Sequence, residues 1–154
     1  MVAIDGVEIK QLQTHPDVRG FFREVIRVTD PFFAEGFGQF SHSLMHVGVT
    51  KAWHIHPTQI DWWYVPIGAL KVALSDRRAG SPTFGVTVDL LLGEEHGAQV
   101  LKIPAGVAHG CTALADPTHL FYITSRVYDP HEEGRIAHDD PAIGFDWLAR
   151  PPIR

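Results

Sequence analysis

The chain has 154 residues, 45% of them hydrophobic and 20% charged, with a formal net charge of -5. That length suits one domain with a sizeable core, a negative balance without any basic cluster excludes a nucleic-acid-binding surface, and no apolar run reaches the roughly 20 residues of a membrane-spanning helix. The opening MVAIDGVEIK lacks the basic-then-apolar order of a secretory signal. Cys111 is the single cysteine, which excludes an internal disulfide and fits a reducing cytoplasm.

Short segments rich in β-branched and aromatic residues alternate with turn signals along the whole chain. They predict strands over 7–12, 21–28, 38–46, 52–57, 61–67, 69–76, 84–91, 98–103, 109–114 and 118–126. Asp30 is placed to cap a short helix through Pro31-Phe32-Phe33-Ala34-Glu35, because proline is tolerated in a first turn. The turns are Asp17-Val18-Arg19-Gly20, Pro66-Ile67-Gly68, Gly80-Ser81-Pro82, Gly93, Pro104-Ala105-Gly106 and Asp116-Pro117. The stretch 127–154, rich in Pro and Asp, reads as an irregular tail with a short helix. Many short strands with little helical periodicity point to an all-β sandwich or barrel, a single domain over 1–154.

The chemistry concentrates in GVTKAWHIHPTQIDWWYVPIG, from Gly48 to Gly68. His54 and His56 are two apart, so on a strand both side chains face the same way. Asp61 follows, and His109 comes after Pro104 and Gly106. Four polar side chains converging in an apolar chain need a reason, since burying them unpaired is costly; a metal or a catalytic site supplies one. Plainer assignments stand beside this one. The histidines could be hydrogen-bonded core residues, and Asp61 could pair with Lys51, Arg77 or Arg78. Trp53, Trp62 and Trp63 read as packing, Cys111 as a buried inert thiol, Asp76-Arg77-Arg78 as surface charge, and Glu132 and Glu133 as a solvated loop.

The spacing Gly48, His54, His56, Asp61, Gly68, then Pro104, Gly106 and His109, resembles the two cupin motifs, with Asp61 where that family usually has Glu. The resemblance implies a cupin jelly-roll barrel in which His54, His56, Asp61 and His109 hold a divalent transition metal: Zn, Fe, Mn, Ni or Cu. A closer resemblance covers most of the chain. Asp17-Val18-Arg19-Gly20-Phe21-Phe22-Arg23-Glu24 is similar to the D-x-R-G-x-F-x-E of the dTDP-4-dehydrorhamnose 3,5-epimerase family. Gln39, His42 and Ser43 fit its next strand, Gly48 to His54 takes the place of G-V-L-R-G-L-H, and Ser81-Pro82-Thr83-Phe84-Gly85 matches S-P-T-F-G. Ile103-Pro104-Ala105-Gly106-Val107-Ala108-His109-Gly110 matches I-P-x-G-F-A-H-G; Tyr122 follows at the family's tyrosine, and Asp139-Asp140-Pro141 and Phe145-Asp146-Trp147 echo its ending.

This second resemblance implies a carbohydrate epimerase that moves protons alpha to the keto group of a nucleotide-linked deoxysugar, with a dTDP-linked sugar as substrate and no required cofactor. His54 would be the base, Tyr122 the acid, and His109 would line the sugar pocket. Arg19, Phe22 and Glu24 would hold the nucleotide, with Gln39 and Lys51 also on the substrate. It implies a homodimer in which N-terminal strands, about 1–30, are exchanged. The sequence also departs from the family. Lys51 replaces an arginine, His56 a glutamine, and Asp61 the lysine that steadies the enolate oxygen; a carboxylate there repels an enolate. The sequence ends at Arg154, before the family's L-S-x-K-D segment, so the partner of the catalytic histidine is expected from Asp139, Asp140 or another acid. If His54 instead binds metal, the base passes to His42 or Tyr122. Two further functions stay open: a metal-dependent cupin enzyme of isomerase or dioxygenase type, and a non-catalytic sugar-binding cupin.

Overall fold

The structure, a computed structural model, describes residues 2–148; the end of the expected tail lies outside the described residues. Among the described residues twelve strands carry the fold. They are β1 (Glu8–Gln11), β2 (Thr14–Asp17), β3 (Gly20–Arg23), β4 (Gln39–Met45), β5 (Thr50–Ile55) and β6 (Asp61–Ile67), then β7 (Ala69–Asp76), β8 (Thr87–Gly93), β9 (Gln99–Ile103), β10 (Val107–Ala113), β11 (Thr118–Thr124) and β12 (Gly134–Arg135). Among the described residues there is no α-helix, only three 3-10 turns.

Two five-stranded sheets, ordered β1-β9-β6-β11-β4 and β12-β5-β10-β7-β8, pack face to face as a jelly roll. Strands β6 and β11 alternate large apolar residues toward the interior, so Trp63, Val65 and Leu120 meet Leu70, Val72, Leu74, Val107 and Cys111 of the other sheet. Strand β10 shows no alternation because both its faces are covered. Its inner face meets the core, and Trp53, Trp147 and their apolar neighbours cover Ala108 on the outer face. Gly110 belongs to that covered face: an added Cβ would lie 2.7 Å from Ala52 Cβ and 2.8 Å from two ring carbons of Trp147. Gly68, between β6 and β7, has φ +83°, a left-handed turn open to glycine.

Three expectations change. The strand expected over 21–28 stops at Arg23 and forms, with β2, a separate two-stranded sheet. Beyond it Val25 and Ile26 leave pairing to pack on Trp62 and Phe33, and Lys10 Nζ donates to the Val25 carbonyl at 3.2 Å. The helix expected at 31–35 is a 3-10 turn, Pro31–Phe33, without a side-chain cap. Asp30 instead accepts from Lys10 Nζ at 2.6 Å and from the Arg27 amide at 3.0 Å. The tail is less irregular than expected: a 3-10 turn at Pro130–Glu132 leads into β12, which pairs with β5. Strand β1 pairs antiparallel with β9.

Candidate active site

A cavity of about 210 Å³ opens between the two sheets. One wall, from β5, the residue that follows it and β10, carries His54, His56 and His109; the other, from β4, β6 and β11, carries Gln39, Asp61 and Tyr122. Lys51 also lines it. Register explains the meeting: His109 pairs with His54 across β10 and β5, while Tyr122 pairs with Trp63 and Asp61 with Thr124 across β11 and β6. Gln39, Lys51, His54, His56, Asp61, His109 and Tyr122 therefore reach one cavity.

Its floor is a buried triad. His56, Asp61 and His109 are 6%, 4% and 3% exposed. His56 Nδ1 lies 2.7 Å from the Glu132 carbonyl and His109 Nδ1 lies 3.1 Å from the Val107 carbonyl. A carbonyl only accepts, so each ring donates through Nδ1 and keeps an unprotonated Nε2 while neutral. Both Nε2 atoms point at Asp61, one at each carboxylate oxygen, at 3.9 Å. Asp61 is held by Gln59 Nε2 at 2.9 Å and Trp63 Nε1 at 3.1 Å, so it does not pair with Lys51, Arg77 or Arg78. Burial pushes the His109 imidazole down to about 4, with Asp61 opposing, so that ring is neutral at pH 7. The three donor atoms lie within 4.8 Å of one another. His54 is not among them, and the expected four-residue set becomes three.

His54 stands apart, nearer the mouth, with its side chain 33% exposed. Its Nδ1 is 3.9 Å from Glu133 Oε2. Burial lowers its pKa, Arg135 lowers it further, and Glu133 opposes both. The ring is thus in its proton-accepting form at neutral pH. Tyr122 faces the same cavity from the opposite sheet, and among the described residues its hydroxyl makes no hydrogen bond. Lys51 donates to Ser43 Oγ at 3.2 Å, and Gln39 donates to Ser41 Oγ and accepts from the Tyr128 amide.

Arg19, Phe22 and Glu24 are not brought to this cavity within the chain. Arg19 is paired with Asp17 at 2.6 Å, Phe22 stacks on His15, and Glu24 is paired with Arg27. His42 is not an alternative base for it: β4 alternates, and His42 faces outward against His119 at 2.7 Å. Asp139 and Asp140 do not line the cavity either. The Asp76-Arg77-Arg78 turn is no plain surface charge. Asp76 is fully buried and accepts from Arg78, Ser81 and Thr83, so Ser81 and Thr83 of the S-P-T-F-G stretch tie down a loop.

Sequence reasoning missed Glu132, Glu133, Gln59 and Tyr128. Glu132 accepts from the Thr58 and Gln59 amides and from the Thr58 hydroxyl, and Glu133 and Tyr128 line the cavity. The one local signal was Gly134 beside the two acids. A Cβ there would sit 2.7 Å from the Ile55 carbonyl oxygen, which marks a close strand approach rather than a free loop.

A jelly roll whose interior cavity presents a neutral histidine on one wall and a tyrosine on the other has the form of a cupin-fold carbohydrate epimerase. The sequence profile of the dTDP-4-dehydrorhamnose 3,5-epimerase family matches residues 1–153, and the chain belongs to that family. It is 44% identical to the spore coat polysaccharide biosynthesis protein SpsL of Bacillus subtilis over 147 residues, covering 94% of this chain and 96% of that one. It is 37% identical over 154 residues to a probable low-salt glycan biosynthesis epimerase of Haloferax volcanii, covering 97% of each. The crystal structure of a dTDP sugar isomerase from Desulfovibrio desulfuricans superposes with a TM-score of 0.91 at 28% identity, covering 98% of this chain and 96% of that one. Family membership favours the epimerase over the dioxygenase-type metalloenzyme and the non-catalytic binder.

Proposed function

We propose that the protein inverts a carbon next to the keto group of a dTDP-linked deoxysugar, with His54 as base and Tyr122 as acid. The observation that carries this reading is their placement on opposite sheets around one cavity. Epimerisation removes a proton from one face of the sugar ring and returns one to the other, which requires two groups facing each other across the ring. His109, neutral and buried, lines the sugar site. Among the described residues Lys51 is the cation lining the cavity, and it takes over part of the work of the family lysine, whose place is held by Asp61, engaged with Gln59, Trp63 and the two buried histidines.

A second copy completes the site. The β2–β3 hairpin is its own small sheet with Val18, Phe21 and Phe22 exposed, and Phe40 on β4 and Phe37 just before it are exposed as well. Exposed aromatics of this kind mark an interface, and exchange of the hairpin carries Arg19, Phe22 and Glu24 to the partner's cavity mouth. A nucleotide-linked substrate and one free cysteine suit a cytoplasmic enzyme with no nucleic-acid or membrane partner.

The test is proton NMR of a dTDP-linked 4-keto-6-deoxyhexose in deuterated water. The protein should exchange and invert ring positions beside the ketone, and His54→Asn should abolish both; an active His54→Asn overturns the assignment. A second reading concerns the triad. Two Nε2 lone pairs aimed at one carboxylate, each ring held through Nδ1 by a backbone carbonyl, is the arrangement of a divalent-metal site. His56, Asp61 and His109 would hold the ion, which when bound would act as a Lewis acid toward the sugar keto group. Elemental analysis after loading with Zn, Fe, Mn, Ni or Cu decides it: about one ion per chain, lost in Asp61→Ala, supports the reading, and no uptake ends it.

A further inference from the structure

We infer that Glu133 is the carboxylate that positions His54 and carries its charge during proton transfer. The inference rests on His54 being the base. Glu133 is 26% exposed, and its Oε2 lies 3.9 Å from His54 Nδ1. Among the described residues that carboxylate has no hydrogen bond and no other ion pair, although Arg135 is two positions away. An acid three-quarters buried beside a cavity, turned only to an imidazole, is costly unless the imidazole becomes charged.

The backbone holds the pair in place. Gly134 pairs with Ile55 and Arg135 with His54, and Trp53 and Ile136 exchange two hydrogen bonds of 3.1 Å. Gly134 permits the close approach, since any side chain there meets Ile55. Its neighbour Glu132 turns the other way, fastening the Thr58–Gln59 loop with its carboxylate and His56 with its carbonyl. The two adjacent acids therefore have separate jobs, one structural and one facing the base.

The chemistry follows from which ring nitrogen faces the carboxylate. With Nδ1 toward Glu133, the proton leaving the sugar carbon goes to Nε2, and the bonding electrons stay on the carbonyl-conjugated carbon as enolate. The ring becomes an imidazolium whose Nδ1–H points at Glu133. A gap of 3.9 Å is longer than a hydrogen bond, so the pair tightens as the ring charges. A base oriented by a third group is the general form of such sites.

The test compares Glu133→Gln, Glu133→Asp and His54→Asn in the full chain, using the same dTDP-linked 4-keto-6-deoxyhexose and a parallel measurement of dTDP affinity. Glu133→Gln should lower kcat roughly 10- to 100-fold, as loss of an orienting partner does, with KM and dTDP affinity within about threefold. Glu133→Asp should recover part of kcat. Nitrogen NMR of the His54 ring should show one dominant tautomer in the parent and a mixture in Glu133→Gln. Parental kcat in Glu133→Gln beside an inactive His54→Asn overturns the inference and leaves the base standing. A raised KM with unchanged kcat also overturns it, making Glu133 a substrate contact. An active His54→Asn instead overturns the base assignment itself.

Discussion

Replacing Tyr122 by Phe separates the two proton transfers. The change removes one oxygen. That hydroxyl has no hydrogen-bond partner among the described residues, and the ring stays packed beside the core. Stability should therefore change by no more than about 0.5 kcal/mol. Inversion should fall by roughly 10²- to 10⁴-fold, the usual contribution of a positioned acid, or about 3–5 kcal/mol of barrier. The other wall should keep working. His54 is a third exposed at the cavity mouth, so its captured proton can exchange with solvent and return to the same face. In deuterated water the expected product is starting sugar labelled beside the ketone with its configuration retained. The assay is proton NMR of the ring signals, in which label and inversion are read separately. Inversion at the parental rate would refute the assignment of Tyr122 as acid. Loss of label and inversion together, in a folded protein, would refute the two-wall arrangement.

Three further outcomes are expected. Gly110→Ala forces a methyl against Ala52 and Trp147 at under 3 Å; this overpacking should cost about 1–3 kcal/mol, a Tm drop of roughly 3–9 °C by differential scanning calorimetry, and an unchanged Tm would refute the packing argument. Asp76 has its pKa lowered mainly by Arg78, with Ser81 and Thr83 assisting; a depressed carboxylate stabilises the fold above its unfolded pKa and loses that contribution as pH falls. Asp76→Asn should thus be about 3 kcal/mol less stable at pH 7, Arg78 being partly exposed, with the difference shrinking below about pH 4, as urea midpoints across pH will show. Burial pushes the Cys111 thiol up to about 12, and its side chain lies against Met45. It should react with a disulfide reagent at pH 8 only on unfolding, and fast reaction in the native state would contradict the burial.

Much of the architecture was legible because the strands are local. Alternating apolar residues and a glycine turn place β6 and β7 at 61–67 and 69–76, where the structure has them. The strand over 14–17 was not among those expected, since its pairing with β3 leaves His15, Pro16 and Asp17 exposed and no apolar alternation marks it. Strand β10 extends two residues earlier than expected, because a strand buried on both faces carries no alternation to mark its start. Of the site, strand period put His54 and His56 on one face, a short-range property, while Asp61, His109 and Tyr122 joined them through the resemblance of their motifs to known families.

Only the tertiary structure decided how they divide. His56 and His109 turn their Nε2 atoms to Asp61, while His54, two residues from His56, turns to Glu133. That division depends on which backbone carbonyl or carboxylate lies beside each ring. Glu132 and Glu133 are more than 70 positions from the histidines they meet. Contacts across that separation are set by sheet pairing between β5 and β12, which no local pattern encodes.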